Sequence, residues 1–277
     1  MKEIVSVDWL HQNLSDNRLV ILDASLETNV EGLTPPFTGF VIPGSRFFDI
    51  KNDFSDQSSA YPNTIPTAER FEQACRKLGI NNSSIIIVYD NLGVYSSPRA
   101  WWLFKIMGHQ DVSVLDGGLP EWISKGFPST SGYQESPEQG DFKAVFKKQY
   151  LKTYHEVLEN LTDQSFLIVD ARSEGRFNGV EKEPRAGLKS GHIPQSVNIP
   201  YQEVLNAGKF RSTQELQELF NSKRSTEKDM VFSCGSGLTA CILALASEIS
   251  INGGKVIYDG SWTEWAERQN LKESDEL

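Results

Sequence analysis

Short apolar runs recur along the chain, and each ends on a polar residue. Val20-Ile21-Leu22 ends in Asp23, Ile85-Ile86-Ile87-Val88-Tyr89 runs into Asp90, and Val112-Ser113-Val114-Leu115 runs into Asp116. Later, Leu167-Ile168-Val169 ends in Asp170, Met230-Val231-Phe232-Ser233 runs into Cys234, and Val256-Ile257-Tyr258 runs into Asp259. Short β-rich runs of this kind predict buried strands. Helical patterns lie between them. Thr67 is placed to N-cap a helix carrying Phe71, Ala74, Cys75 and Leu78, with Gly79 at its end. Pro98 suits the first turn of a helix running through Ala100 to Met107, which Gly108 ends. Thr239 to Glu248 is apolar nearly all round and predicts a buried helix. Alternation of this sort implies an α/β fold, a mostly parallel sheet with helices on both faces. Ligands of such sheets bind beyond the carboxyl ends of the strands.

The pattern occurs twice. Leu22-Asp23-Ala24 returns as Val169-Asp170-Ala171, 147 residues later, and Glu121-Trp122 returns as Glu264-Trp265 after 143. Ile42-Pro43-Gly44-Ser45 returns as Ile193-Pro194-Gln195-Ser196. Landmarks in one order at near-constant spacing indicate a duplicated domain, because the period is far too long for a solenoid. Residues 129–140 are polar, with Gly and Pro and no periodicity, and read as a linker. The expected domains are therefore 1–140, including that linker, and 141–277.

Composition narrows the function. A chain of 277 residues, 39% hydrophobic and 23% charged, can bury two cores without staples. No apolar run approaches the ~20 residues that cross a bilayer. The segment from Met1 to Leu14 has no secretory apolar region, so a cytoplasmic location is expected. A net charge of −10 disfavours nucleic acid and anionic membranes as partners. It leaves room for a small anion in a locally cationic pocket. Three cysteines, Cys75, Cys234 and Cys241, are too few and too odd in number for a disulfide framework. None has metal-site spacing with histidine, so no metal is expected.

Cys234 carries the chemistry. It follows a strand and opens the loop Cys234-Gly235-Ser236-Gly237-Leu238, which feeds the helix beginning near Thr239. Gly235 and Gly237 permit positive φ and close backbone approach. Successive N–H groups in such a loop, with the helix N-terminus, are expected to form an anion nest that stabilises a thiolate. Cys241, inside the apolar helix, and Cys75, on an amphipathic face, read as packing residues. A phosphatase-type loop needs Arg six places after the cysteine; Ala240 stands there. The first half has Asp90 where the second has Cys234, and a carboxylate cannot carry sulfur. That half is expected to be catalytically silent and to shape a cleft.

Several stretches together carry a resemblance: Ser97-Pro98-Arg99-Ala100-Trp101-Trp102, Asp116-Gly117-Gly118, Asp170-Ala171-Arg172, Gly191-His192-Ile193-Pro194, and Cys234 through Thr239. The chain resembles the two-domain rhodanese-like sulfurtransferases over nearly its whole length. The resemblance implies a silent N-terminal domain and a catalytic C-terminal one. Thiosulfate sulfurtransferases of this family typically carry Arg and Lys after the cysteine. Gly235 and Ser236 stand there in this chain, which is similar to the branch that uses 3-mercaptopyruvate. The resemblance further implies that Arg176, in Gly175-Arg176-Phe177, and Arg185, in Glu183-Pro184-Arg185, hold the donor's carboxylate and carbonyl. Arg suits such bidentate recognition. One position departs. Val41 replaces a family His before Ile-Pro-Gly, proposed to relay protons with the loop Ser, and an aliphatic side chain cannot do so.

The expected reaction is ping-pong transfer of sulfur through a Cys234 persulfide, assisted by Ser236. Gly235, Gly237, Leu238 and Thr239 are expected to contact the donor. The acceptor is expected to be a thiol, a thioredoxin-like protein or cyanide. No cofactor is required, and a monomer or weak dimer is expected. The alternatives are a thiosulfate:cyanide sulfurtransferase and a non-catalytic rhodanese-like sulfur carrier.

Overall fold

The structure is a computed structural model that describes residues 2–27, 29, 32–135, 138–224 and 228–275. It divides into two compact units. Unit 1 is Met1–Gln57, Ile65–Lys148 and Leu205–Phe210; unit 2 is Ser58–Thr64, Gln149–Val204 and Arg211–Leu277. Each half of the chain thus lends one segment to the other half's unit.

Unit 1 contains β1 (Ile4–Val5), α1 (Val7–Asn13), β2 (Leu19–Asp23), β3 (Ser45–Phe47), α2 (Ala68–Lys77), β4 (Ile85–Tyr89), α3 (Ser97–Ile106), β5 (Val112–Leu115) and α4 (Gly118–Ser124). Its sheet has the order β1-β5-β4-β2-β3, and every pair in it is parallel. The expected helix signals operate. Thr67 accepts from the Arg70 N–H, Pro98 lies in the first turn of α3, and Gly79 and Gly108 follow α2 and α3 with positive φ. All ten residues of α3 are buried. The cations among them keep polar contacts; Lys105 Nζ, for example, lies 3.0 Å from Glu3.

Unit 2 contains β6 (Leu151–Lys152), α5 (Tyr154–Asp163), β7 (Phe166–Asp170), α6 (Glu174–Phe177) and β8 (Val197–Asn198). A hairpin of β9 (Leu205–Asn206) and β10 (Lys209–Phe210) then joins unit 1, where Phe210 N–H donates to Asp116 Oδ1. Unit 2 resumes with α7 (Thr213–Lys223), β11 (Asp229–Ser233), α8 (Ala240–Ile251), β12 (Ile257–Tyr258) and α9 (Ser261–Asp275). Its sheet order, β6-β12-β11-β7-β8, repeats that of unit 1 and is likewise parallel. The repeat extends to single hydrogen bonds: Ala24 N–H donates to Tyr89 O at 2.9 Å, and Ala171 N–H to Ser233 O at 2.8 Å.

The polar stretch 129–140 is fastened to unit 1, although Ser136 and Pro137 lie outside the described residues. Thr130 and Val41 exchange backbone hydrogen bonds, and Gly140 N–H donates to Arg76 O. Phe142 is then buried against Phe71, Phe104 and His109. Apart from the two lent segments, the chain passes between the units at Lys148 and Gln149.

Candidate active site

β11 is a central strand whose last residue, Ser233, lies beside Asp170 of β7. Cys234 is therefore the first residue beyond the carboxyl edge of the sheet, and it is buried, at 1% exposure. The start of α9 holds the loop's first two residues. Cys234 N–H donates to Ser261 Oγ at 3.2 Å, and Cys234 O accepts from Trp262 N–H at 2.9 Å. Gly235 O accepts from Thr263 N–H at 3.2 Å and from Thr263 Oγ1 at 2.7 Å. At the other end, Gly237 O and Leu238 O accept from the Cys241 thiol and N–H. Cys241 is fully buried and packs, as its place in an apolar helix implies. Burial also pushes the Cys75 thiol well up from its ordinary range.

The two loop glycines serve different ends. Gly237 has φ +77°, the left-handed conformation that favours glycine. Gly235 does not. A Cβ there would lie 2.8 Å from Arg176 Nη2, so the missing side chain makes room for a guanidinium.

Both sequence-identified arginines converge on Gly235. Arg176 Nη2 fills the space beside it where a Cβ would sit. Arg185 donates to Thr263 Oγ1 at 3.2 Å, and the same hydroxyl donates to Gly235 O. A charged network stands behind Arg176. Its Nη2 meets Glu183 Oε2 at 2.7 Å; Glu183 Oε1 meets Arg172 at 2.7 Å; Arg172 meets Asp170 Oδ2 at 2.6 Å. Arg172 also donates to Gly191 O and lies over the Trp262 ring. Desolvation works against its charge, but Asp170 and Glu183 outweigh it and hold the guanidinium above its ordinary pKa. The two carboxylates balance Arg172 and Arg176 charge for charge. Among the described residues, Arg185 has no carboxylate within ion-pairing distance. Its burial lowers its pKa, with Glu267 and Glu183 acting in the opposite direction. Arg185 remains a cation and gives the cluster its excess positive charge.

The partner of Ser236 is Asn63. Asn63 Nδ2 donates to Ser236 Oγ at 3.1 Å and to Ser236 O at 3.2 Å. Asn63 belongs to the seven-residue segment that the first half lends to unit 2. The sequence reasoning missed it, and also missed Ser261, Thr263, Glu183 and the role of Arg172. Val41, the position considered for a relay, is buried in its bridge to Thr130 in unit 1. His192 stacks on Phe177 and bonds Phe177 O, a packing arrangement.

Unit 1 shows how this loop treats an anion. Asp90 follows β4 as Cys234 follows β11. Its Oδ2 accepts the N–H groups of Tyr95, Ser96 and Ser97 at 2.9–3.0 Å and the Ser97 hydroxyl at 2.7 Å; Oδ1 accepts the Leu92 N–H. The loop's amides close on its own carboxylate. In unit 2, among the described residues, no hydrogen bond uses the backbone N–H of Gly235, Ser236, Leu238 or Thr239. Thr239 and Leu238 are nearly buried at the helix start.

A duplicated parallel α/β unit, with a cysteine loop at one sheet edge and a carboxylate in its place at the other, defines the rhodanese class. The chain belongs to it: the rhodanese-like domain model matches residues 6–125 and 153–268. The human 3-mercaptopyruvate sulfurtransferase is 39% identical over 95% of this chain and 92% of its own length. The rat thiosulfate sulfurtransferase is 38% identical over 96% and 93%. The crystal structure of SseA from Escherichia coli, described as a 3-mercaptopyruvate sulfotransferase, superposes with a TM-score of 0.82 at 34% identity, covering 95% of this chain and 99% of that one. Overall identity does not separate the two kinds of relative. Among the described residues, no helix is long and apolar enough to cross a membrane.

Proposed function

We propose that this protein moves sulfur from 3-mercaptopyruvate to a thiol, thioredoxin-like or cyanide acceptor through a persulfide on Cys234. The observation that carries the reading is the convergence of Arg176 and Arg185 on Gly235, with no cation in the loop itself. A doubly charged thiosulfate would suit cations directly after the cysteine. A keto acid with one carboxylate suits two side-on guanidinia, one of them without a carboxylate partner. Charge-assisted hydrogen bonds of that kind contribute about 1.5–3 kcal/mol each.

In this scheme Arg176 and Arg185 orient the donor. The Cys234 thiolate attacks its sulfur; the S–S bond forms as the C–S bond breaks. The electron pair passes into the pyruvate enolate, and the donor's thiol proton ends on the pyruvate methyl group. Cys234 then carries an anionic outer sulfur. The loop N–H groups, with Leu238 and Thr239 at the helix start, stabilise that charge as the equivalent loop does for Asp90. Ser236 donates a hydrogen bond to the reacting donor. Attack by the acceptor thiolate regenerates Cys234. In this scheme the protein is a cytoplasmic monomer or weak dimer, with unit 2 catalytic and unit 1 silent.

The test is kcat/KM for pyruvate release from 3-mercaptopyruvate against kcat/KM for thiocyanate formation from thiosulfate. A clear preference for 3-mercaptopyruvate is expected. A preference for thiosulfate would overturn the choice of donor, and no turnover of either would overturn the enzyme reading.

A further inference from the structure

We infer that Asn63 is a positioning residue that fixes Ser236 as a hydrogen-bond donor, by a contact that does not titrate. The inference rests on the reading that Ser236 assists transfer at Cys234.

The amide orientation follows from chemistry. Asn63 faces the Ser236 carbonyl, which can only accept, so the NH2 group must point there. The same NH2 group reaches Ser236 Oγ at 3.1 Å. The hydroxyl therefore accepts from Asn63 and cannot donate to it. Its proton is directed elsewhere and is left for the donor's developing oxyanion. A carboxylate or an imidazole in this position could accept the proton and reverse the bond. An amide holds one polarity at every pH.

The segment around Asn63 is built to present it. Tyr61 N–H donates to Ser59 Oγ, Thr64 Oγ1 donates to Tyr61 O, and the Ser59 and Thr64 hydroxyls lie 2.7 Å apart. Asn63 has φ +57°, a conformation that asparagine tolerates better than most residues. Its two bonds to Ser236 clamp the loop residue by backbone and side chain together. The contact spans 173 positions in sequence.

The test is steady-state pyruvate release from 3-mercaptopyruvate between pH 5 and 8. It uses Asn63→Gly, Asn63→Asp, Ser236→Ala and the Asn63→Gly/Ser236→Ala double variant. Glycine accepts the positive φ, and aspartate keeps the shape, so both are chosen to fold. Asn63→Gly removes both bonds to Ser236 and is expected to lower kcat about tenfold. The double variant is expected to lose less than the two single variants combined, because both remove the bond at the hydroxyl. Asn63→Asp is expected to be impaired throughout this range, because a carboxylate is ionised above about pH 4 and can only accept from the Ser236 hydroxyl. Wild-type kcat in Asn63→Gly or in Asn63→Asp, or additive losses in the double variant, would overturn the inference. Wild-type kcat in Ser236→Ala, or persulfide formation in Cys234→Ser, would instead overturn the reading beneath it.

Discussion

Arg176 Nη2 occupies the space next to Gly235 that any side chain would need, 2.8 Å from where a Cβ would sit. The guanidinium can yield only by breaking its hold on Glu183, which it contacts through two nitrogens. Gly235→Ala is therefore expected to push Arg176 out of place while leaving the loop backbone, which has ordinary φ there, intact. A rise in KM for 3-mercaptopyruvate of about tenfold is expected, with a smaller change in kcat. Unchanged KM would show that the contact does not orient the donor.

Arg185 is the cation with most to give a ligand. Arg185→Lys keeps the charge and loses the planar fork, and it is expected to reduce kcat/KM for 3-mercaptopyruvate by about ten- to a hundredfold. Steady-state kinetics with the keto acid and with thiosulfate separate the roles. A larger loss for thiosulfate would contradict the assignment of Arg185 to the donor carboxylate.

Glu183 bridges Arg172 and Arg176 from a buried position. Removing its charge leaves Asp170 to face two guanidinia. Glu183→Gln is expected to destabilise unit 2 by about 3 kcal/mol, since an unpaired buried charge is costly. Chemical denaturation checks this; a loss below about 1 kcal/mol would mean that water reaches the cluster.

His109 gives unit 1 a pH dependence. Burial lowers its pKa from an ordinary 6.5; its bond to Ser84 O and nearby Asp111 oppose this, while Lys105 adds to it. The unfolded chain binds the proton more readily, so this contribution is fully present above pH 6.5 and is lost as pH falls below it. Denaturation at pH 7.5 and 5.5 is expected to show a smaller drop for His109→Gln than for the natural protein. Equal drops would refute the assignment.

Much of this was legible in the sequence. Strands such as β4 and β11 are short apolar runs with no competing helical period, and Thr67, Pro98, Gly79 and Gly108 mark their helix ends by local chemistry. The Cys234 loop declared itself through residue types, and Arg176 and Arg185 through the motifs around them. Other features depend on folding. Gly235 is recognisable as a glycine, but its purpose, room for Arg176, comes from another element. Arg172 and Glu183 look like surface charges until the chain buries them together. Asn63 lies in a polar turn of the first half, and only tertiary structure carries it to Ser236. Val41 holds the position the resemblance marks for a relay, and its backbone partner is Thr130.

Sulfur carriage by Cys234 is tested most directly by the intact mass of the protein after addition of 3-mercaptopyruvate without acceptor. A gain of one sulfur atom is expected, localised to Cys234, lost on adding a thiol, and absent in Cys234→Ser. An unchanged mass, or the same gain in Cys234→Ser, would contradict it.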